Sequence, residues 1–224
     1  MGKLSLATRE KLRGVSTATL ASALFKRGLR NQMVQDVRPL GAPEGGSMVG
    51  EAYTLRYMPA REDLNPMTVF RDHSHPQRRA VEECPPGAVL VMDSRKDPRA
   101  ASAGGILVTR LMVRGVAGVV TDGGFRDSAE IAMLDIPTYH NRPSAPTNIT
   151  LHQAIDINVP IGCGDAPVFP GDIVVGDADG VICVPIERAN GLLASAAERI
   201  AKESDVIAGL QAGQRSLDLL GIES

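Results

Sequence analysis

The chain has 224 residues, of which 43% are hydrophobic, so it is long enough for one large domain with a sizeable core. Its net charge of −2 and its pI of about 6.1 give no electrostatic reason to expect nucleic acid or a membrane surface as a partner. Aromatic residues make up only 3% and tryptophan is absent, which argues against stacking platforms for single-stranded nucleic acid.

The cysteines Cys84, Cys163 and Cys183 are widely spaced and form no CxxC pair. This spacing is typical of neither a disulfide framework nor a zinc ribbon, and it suits a reducing compartment. The first residues lack an apolar signal core, and no apolar run approaches the length of a membrane span. We therefore expect a cytoplasmic protein that has neither a membrane nor a nucleic acid as its partner.

The first part of the chain is predicted to form a helix and then a strand. The helix covers residues 5–28, in which Ser16 begins a capped small-residue segment and Gly28 ends the helix. Alternating apolar and polar residues predict the strand over 48–57.

Residues 58–80 are the least regular stretch and are rich in charge. His73 and His75, two residues apart, would share one face of a strand, so a metal pair is one interpretation; Pro76 and the charged neighbours favour a solvated loop instead. The arginines of this stretch either help to hold an anionic substrate or a neighbouring subunit, or lie on a solvated surface. They are Arg61, Arg71, Arg78 and Arg79.

A buried strand is predicted over residues 89–93, and a charged loop follows it over 94–99. The next helix is predicted over 101–114. Gly104 and Gly105 near its start would leave backbone N–H groups open to an anion.

The following strand, residues 116–121, stops at a pair of glycines that lead directly to Arg126 and Asp127. In α/β folds, chemistry lies just beyond the carboxyl ends of buried strands. Arginine offers a planar fork for a substrate carboxylate, and aspartate offers the hard oxygen that Mg²⁺ prefers. The alternative is that Arg126 and Asp127 only begin a solvated helix, with Glu130 in its first turn.

The remainder of the chain predicts further strands and a final helix. A short helix over 128–134 precedes a strand over 135–140, which ends at His140, either an acid–base group or a structural side chain. Later apolar segments predict strands over 157–168 and a tight hairpin over 169–185. A long helix is expected over 186–212. The pattern indicates a mixed α/β layered domain.

These segments together resemble the RraA-like superfamily. It contains class II pyruvate aldolases for 4-hydroxy-4-methyl-2-oxoglutarate and 4-carboxy-4-hydroxy-2-oxoadipate, and the RraA regulators of ribonuclease E. The centre of the resemblance is Gly105, followed after twenty residues by Arg126-Asp127 and then by Glu130. Four further segments share the pattern, and the resemblance covers roughly residues 5–205. The segments are 16–20, 86–93, 115–124 and 170–181.

The resemblance implies a single-domain α/β/β/α sandwich of the swivelling β/β/α type, covering residues 1–212, with a C-terminal tail over 213–224. It also implies a homotrimer or a homohexamer with sites between subunits.

The resemblance further implies a divalent metal, Mg²⁺ or Mn²⁺, with Asp127 as its ligand, and a 2-oxo acid whose pyruvyl carboxylate is held by Arg126. The reaction would be retro-aldol cleavage to pyruvate, in which the metal stabilises the developing enolate. Oxaloacetate decarboxylation passes through the same enolate. The substrate site would also include the backbone of Gly104, Gly105, Ile106 and Leu107.

The chain departs from the aldolases at Gly105, where they carry an acidic residue that positions metal-bound water. Candidates to replace that carboxylate are Asp93, Asp97 and Asp122. A C-terminal glutamate of a neighbouring subunit is also expected to join the site as a catalytic residue, with Glu203 or Glu198 as the candidates.

Two alternatives to the metal-dependent lyase remain open. One is a non-catalytic regulator that binds a ribonuclease, and the other is an enzyme of the same fold that acts on a sugar-acid derivative. Asp127 favours an enzyme, because the resemblance implies that the inhibitor branch lacks the metal-binding aspartate after the arginine.

Overall fold

Short strands dominate the computed structural model, which describes residues 4–41, 47–189, 191–193 and 205–214. The α-helices are α1 (Leu6–Arg13), α2 (Thr17–Phe25), α3 (Pro76–Glu83), α4 (Gly105–Val113) and α5 (Ser128–Ile131). The strands are β1 (Met33–Val34), β2 (Arg38–Pro39), β3 (Met48–Pro59), β4 (Val89–Asp93), β5 (Ala101–Ala103), β6 (Gly118–Thr121), β7 (Gly124–Phe125), β8 (Thr138–His140), β9 (Arg142–Pro143), β10 (His152–Ile157), β11 (Ile161–Cys163), β12 (Ala166–Val168), β13 (Ile173–Asp177) and β14 (Gly180–Val184).

The largest sheet among the described residues runs in the order β1-β14-β13-β3-β4-β6-β8-β2, with β10 added to β3. The long strand β3 joins its two halves. The start of β3 pairs antiparallel with β13, and its middle pairs parallel with β4. Strands β4, β6 and β8 are parallel, whereas β13 and β14 form an antiparallel hairpin.

The β4 half of the sheet is buried on both faces. Val89 and Val91 point into a core shared with the β13 half, and Leu90 and Met92 point into a second core that α3 and α4 cover. Because side chains alternate along a strand, a strand buried on both faces appears in the sequence as a continuous apolar run, as 89–92 does.

The β13 half alternates in the same way. Val174 faces the shared core, while Ile173 and Val175 pack against Leu12 of α1 and Leu20 of α2. The layers therefore follow the order helix, sheet, sheet, helix. This confirms the predicted α/β/β/α sandwich.

A small parallel sheet, β5-β7-β9, lies beyond the β4 half. Each of its strands follows a strand of the large sheet in the chain, β5 after β4, β7 after β6 and β9 after β8. The order β5-β7-β9 consequently repeats the order β4-β6-β8. This small sheet carries the segment that was predicted to be functional.

The predicted single helix over 5–28 is wrong, because the chain forms two helices there. The backbone N–H of Gly14 closes α1, and the Ser16 side chain accepts a hydrogen bond from the Thr19 N–H at 3.1 Å to begin α2. The Ser16 cap was predicted correctly.

Two other segments differ from the prediction. The irregular stretch contains a 3-10 helix, Met67–Arg71, and then α3, in which Pro76 occupies the first turn. The predicted helix over 101–114 is preceded by the strand β5 and begins only at Gly105.

The predicted helix over 186–212 begins differently, with a 3-10 turn at Ile186–Arg188. Residues 191–193 and 205–211 are helical, and the remainder of that segment and most of the predicted tail lie outside the described residues. No helix in the described part of the chain combines the length and apolar character that are needed to cross a bilayer.

Candidate active site

Arg126 directly follows β7, at the carboxyl end of the central strand of the small sheet. Its backbone N–H donates to the carbonyl of Ala103 at 3.1 Å, which ties the end of β7 to the end of β5. The site thus lies where two parallel strands end together and α4 begins, as expected for an α/β fold.

Asp127 adopts a left-handed backbone conformation, with φ 56° and ψ 38°, immediately before α5. Aspartate tolerates this region better than most residues do. The conformation directs the carboxylate to the start of α4, where Oδ2 accepts the Gly105 N–H at 3.1 Å. Oδ1 lies 3.6 Å from Nε of Arg126, and the two side chains are 48% (Arg126) and 38% (Asp127) exposed. Arginine and carboxylate therefore meet at an accessible position.

The two glycines at the start of α4 have different surroundings. A β-carbon at Gly104 would lie 2.7 Å from Cγ of Arg126 and 2.9 Å from Oδ2 of Asp127. At Gly105 the nearest atom would be Cβ of Asp127, at 3.4 Å, an ordinary contact. Position 104 therefore requires glycine for close approach, while position 105 has room for a side chain.

The first backbone N–H groups of α4 have distinct partners. That of Gly105 donates to Asp127, and that of Leu107 donates to the Gly104 carbonyl at 3.1 Å. Within the described residues the Ile106 N–H has no hydrogen-bond acceptor. Of the three amides, that of Ile106 is the one open to an anionic ligand.

These groups line a cavity of about 460 Å³. The structure brings Gly104, Ile106, Leu107, Arg126 and Asp127 together there, and Gly105 adjoins them. Eight further residues line the same space. They are Met67, Phe70, Gln77, Arg78, Ala101, Ala103, Thr147 and Asn148.

Of these eight residues, only Arg78 was considered from the sequence as part of a substrate site. Gln77 is buried and donates to the Ser102 carbonyl at 2.7 Å and to the Tyr57 hydroxyl at 3.1 Å, which fixes α3 against the small sheet. Asn148 is 3% exposed. The only sequence signal for α3 was the Pro76 that begins it.

The Asp127 carboxylate fits a hydrated divalent ion. Mg²⁺ keeps several waters and is usually held by one or two carboxylates together with substrate oxygens. In the described residues no three His, Cys, Asp or Glu side chains converge as a closed metal cage would require. An accessible carboxylate beside a cavity, such as that of Asp127, suits a site in which water and substrate supply the other metal ligands.

The three aspartates considered as replacements for the missing acid do not line the cavity. Asp122 is buried and accepts the backbone N–H groups of Ser94, Lys96 and Gly164 at 2.6, 3.1 and 3.1 Å. Burial raises its pKa to about 6. It fixes the loop after β4 to the segment at Gly164 and has a structural role.

Asp97 and Asp93 also have partners of their own. Asp97 binds the Arg99 guanidinium at 2.6 Å, and this hydrogen bond lowers the pKa of the Asp97 carboxyl. Asp93 accepts the Arg95 N–H at 2.9 Å, and burial raises its pKa. Neither carboxylate adjoins Asp127.

The histidine candidates lie away from Asp127. His140 is buried, stacks on Phe125 at 5.5 Å between ring centroids, and has its pKa lowered to about 4 by burial. His75 is buried at the start of α3, whereas His73 is exposed. The two do not form part of a metal cluster in the described residues. Glu203 and Glu198 lie outside the described residues.

The sequence profile of the RraA-like family, described as Aldolase/RraA, matches residues 17–183. The chain belongs to the RraA-like family. A Halalkalibacterium halodurans protein, provisionally named 4-hydroxy-4-methyl-2-oxoglutarate aldolase, is 31% identical over 196 residues, which are 86% of this chain and 83% of that protein.

Two other relatives indicate the range of the RraA-like family. A Thermus thermophilus protein named 4-hydroxy-4-methyl-2-oxoglutarate aldolase is 29% identical over 119 residues, 53% of this chain and 71% of its own. Streptomyces coelicolor RraAS2, described as an unusual member of the RNase ES inhibitor RraA protein family, is 27% identical with a TM-score of 0.79. That match covers 91% of this chain and 97% of RraAS2.

Proposed function

We propose that the protein is a divalent-metal-dependent carbon–carbon lyase that cleaves a 4-hydroxy-2-oxo acid and releases pyruvate, and that it also decarboxylates oxaloacetate. The observation that carries this proposal is the placement of Arg126 and Asp127 side by side at the amino end of α4. The names of the aldolase relatives support a lyase.

Arg126 would bind the carboxylate of the pyruvyl half. Its guanidinium is half-exposed, and its backbone is fixed to Ala103, so the side chain starts from a rigid position. A planar guanidinium can donate two parallel hydrogen bonds to a carboxylate. The open Ile106 N–H at the start of α4 adds a donor with the favourable end of the helix dipole behind it.

Asp127 would hold Mg²⁺ or Mn²⁺. When bound, the metal supplies positive charge beside the 2-oxo group of the substrate. The Gly105 N–H keeps the carboxylate oriented to the cavity, and the Arg126 side chain lies against its other oxygen. Gly104 allows both side chains to lie against the backbone.

The cleavage balances without any other reactant. The 4-hydroxyl group loses its proton and becomes a carbonyl as the C3–C4 bond breaks, and C3 of the released pyruvate gains a proton. Among the described residues, Asp127 is the only carboxylate that lines the cavity. The proton acceptor would therefore be a water in the cavity or a glutamate from a neighbouring subunit.

Release of pyruvate tests the function directly. The wild type and Asp127→Asn would be assayed with Mg²⁺ over a panel of 4-hydroxy-2-oxo acids and oxaloacetate, with lactate dehydrogenase to report pyruvate. We expect turnover that chelation abolishes and added Mg²⁺ restores, and loss of both turnover and metal binding in Asp127→Asn. Absence of metal-dependent turnover on every acid would exclude the lyase.

Gly105 favours a second candidate, a regulator that binds a ribonuclease. The resemblance implies that the aldolases carry an acid at this position, and RraAS2 is described within a ribonuclease-inhibitor family. Inhibition of a purified RNase E-type ribonuclease by the chain, unchanged in Asp127→Asn, would support this candidate over the lyase.

We also propose that the chain assembles as a trimer or hexamer whose site lies at a subunit interface. Large apolar side chains are exposed on and near α4, namely Met67 at 75%, Ile106 at 85% and Val113 at 69%. Apolar surface of this kind is typical of subunit contacts. Light scattering of the purified protein measures the subunit number, and Ile106→Glu should lower it.

A further inference from the structure

Arg78 lies in the same cavity as Arg126 and has no ion-pair partner in the described residues. It is half-buried on α3, and its guanidinium carbon lies 5.6 Å from the centroid of the Phe70 ring. A half-buried arginine without a carboxylate loses hydration and gains no compensating pair, which is unusual unless a ligand supplies the anion.

Three other arginines in this region are paired with carboxylates, while Arg71 has no ion pair among the described residues but is exposed to solvent. Arg79, the next residue on α3, binds Glu83 at 2.7 Å, and Arg110 on α4 binds Glu82 at 2.8 Å. On the loop before the 3-10 helix, an arginine binds the aspartate two residues later at 2.8 Å. Carboxylates are thus available on this side of the molecule, and among the described residues none of them reaches Arg78.

The backbone of Arg78 is held in place by its neighbour on α3. Gln77, which precedes it, is buried and hydrogen-bonded to the Ser102 carbonyl and the Tyr57 hydroxyl, so α3 cannot rotate without breaking both contacts. The Phe70 ring gives the guanidinium an apolar face to rest on. A second cavity of about 650 Å³ is also lined by Arg78 and Phe70, so Arg78 lies between the two spaces.

Further observations indicate an anion at this position. Among the described residues, the lining of the first cavity contains two arginines and one carboxylate, Asp127. Asn148 in the same lining is almost fully buried, and its Nδ2 has no hydrogen-bond acceptor in the described residues. Burial lowers the pKa of His75, and the charge of Arg78 lowers it further. The region is thus rich in donors and positive charge.

We infer that Arg78 determines specificity by binding a carboxylate at the end of the substrate away from Arg126. The 4-hydroxy-4-methyl-2-oxoglutarate for which the aldolase relatives are named carries such a second carboxylate, and what is new here is its assignment to Arg78, beside Phe70. This inference rests on the proposed lyase function for its kinetic test, but the binding step can be tested without turnover.

Paired substrates and variants isolate this effect. 4-Hydroxy-2-oxoglutarate and 4-hydroxy-2-oxopentanoate differ only in that a methyl group replaces the distal carboxylate. We expect wild type to prefer the dicarboxylate in kcat/KM, and Arg78→Met to lower that preference about 10- to 100-fold, the range for a hydrogen bond to a charged group. Arg79→Met, its exposed neighbour, should keep the preference. Arg78→Lys keeps the positive charge but loses the planar guanidinium, so its preference for the dicarboxylate should lie between those of wild type and Arg78→Met.

Binding separates failure of this inference from failure of the lyase. If the wild type turns over neither acid, the lyase fails, and calorimetry with 2-oxoglutarate and 2-oxopentanoate then tests Arg78. Tighter binding of the dicarboxylate that is lost in Arg78→Met supports the inference. Equal affinity in wild type, or a preference that persists in both Arg78→Met and Arg78→Lys, overturns it. Thermal unfolding of each variant verifies the fold, and Arg78→Lys serves if Arg78→Met does not fold.

Discussion

The backbone N–H of Gly105 donates to Oδ2 of Asp127 at 3.1 Å, so the first residue of α4 holds the carboxylate that a metal would need. This contact joins two segments that are far apart in the sequence. It explains why Gly105 is compatible with the site although the residue has no side chain, because its contribution is made by the backbone.

Gly105→Asp is expected to strengthen metal binding. A β-carbon added at this position would lie 3.4 Å from Cβ of Asp127, so the side chain can be accepted. An acid in the first turn of a helix is also favoured by the helix dipole. Residues that orient a metal site are worth about 10- to 100-fold in affinity or activity, so we expect a gain of about 10-fold in Mn²⁺ affinity, measured by calorimetry.

Gly104→Ala provides the matched contrast. Its β-carbon would clash with Cγ of Arg126 at 2.7 Å and with Asp127, so both side chains must move. A displacement of about 1 Å costs about 100-fold in rate, and we expect a loss of that order in pyruvate release. Activity equal to that of wild type would contradict the geometry described for the two side chains.

Variants at Asp127 separate the role of its carboxylate in metal binding from the cost of its left-handed backbone conformation. Asp127→Asn should abolish metal binding but keep the free energy of unfolding nearly unchanged, because asparagine also tolerates positive φ. Asp127→Ala should lose metal binding and in addition about 1 kcal/mol of stability. Urea unfolding measures the difference; equal stability of the two variants would show that the left-handed conformation is not retained.

Asp122 predicts an unusual pH dependence of stability. Burial raises its pKa in the folded protein to about 6, above the ordinary value of 3.8. The folded protein therefore binds the proton more tightly than the unfolded chain does. This contribution to stability is complete below pH 3.8 and is lost as the pH rises through 6, by about 3 kcal/mol in total. Unfolding curves from pH 4 to 7 for wild type and Asp122→Asn isolate it, since the other carboxylates are common to both. If the free energies of unfolding of wild type and Asp122→Asn changed in parallel with pH, the predicted contribution of Asp122 would be contradicted.

Ser16→Ala tests the beginning of α2. The Ser16 hydroxyl accepts a hydrogen bond from the Thr19 N–H at 3.1 Å. Removing the hydroxyl leaves the Thr19 N–H without this acceptor. We expect a loss of about 1 kcal/mol in the free energy of unfolding. Ser16→Asn, which can accept the same hydrogen bond, serves as the control and should lose less.

The layers were predictable from the sequence because they depend on local patterns. Residues 89–92 and the two arms of the hairpin, 173–175 and 181–184, are continuous apolar runs, which indicate strands buried on both faces. The break between α1 and α2 was missed, since helix-forming residues lie on both sides of Gly14. The end of α1 at Gly14 is defined by its backbone angles and hydrogen bonds, which the sequence does not show.

The candidate site was predictable only in part. Arg126, Asp127 and the glycines could be found because they follow a strand and resemble a family pattern. Phe70, Gln77 and Asn148 could not, because they reach the cavity through contacts between distant segments that have no periodic signal. Asp122 was considered as a replacement acid because it directly follows a strand, as active-site residues in α/β folds often do. The three backbone N–H groups that its carboxylate accepts, and that give it a structural role, cannot be inferred from the sequence.

The repeated order of β4-β6-β8 and β5-β7-β9 has a consequence for how relatives can diverge. The crossings from the large sheet to the small one differ in length. A single residue, Asn141, joins β8 to β9, and Asp122-Gly123 joins β6 to β7, whereas residues 94–100 join β4 to β5. Insertions in the two short crossings would shift β7, which leads into Arg126, or β9, which pairs with β7. The long crossing is tied to Asp122 only through its first residues, at the Ser94 and Lys96 amides. Residues 97–100 can accept insertions with less effect on Arg126, so we expect natural length variation among relatives to concentrate there.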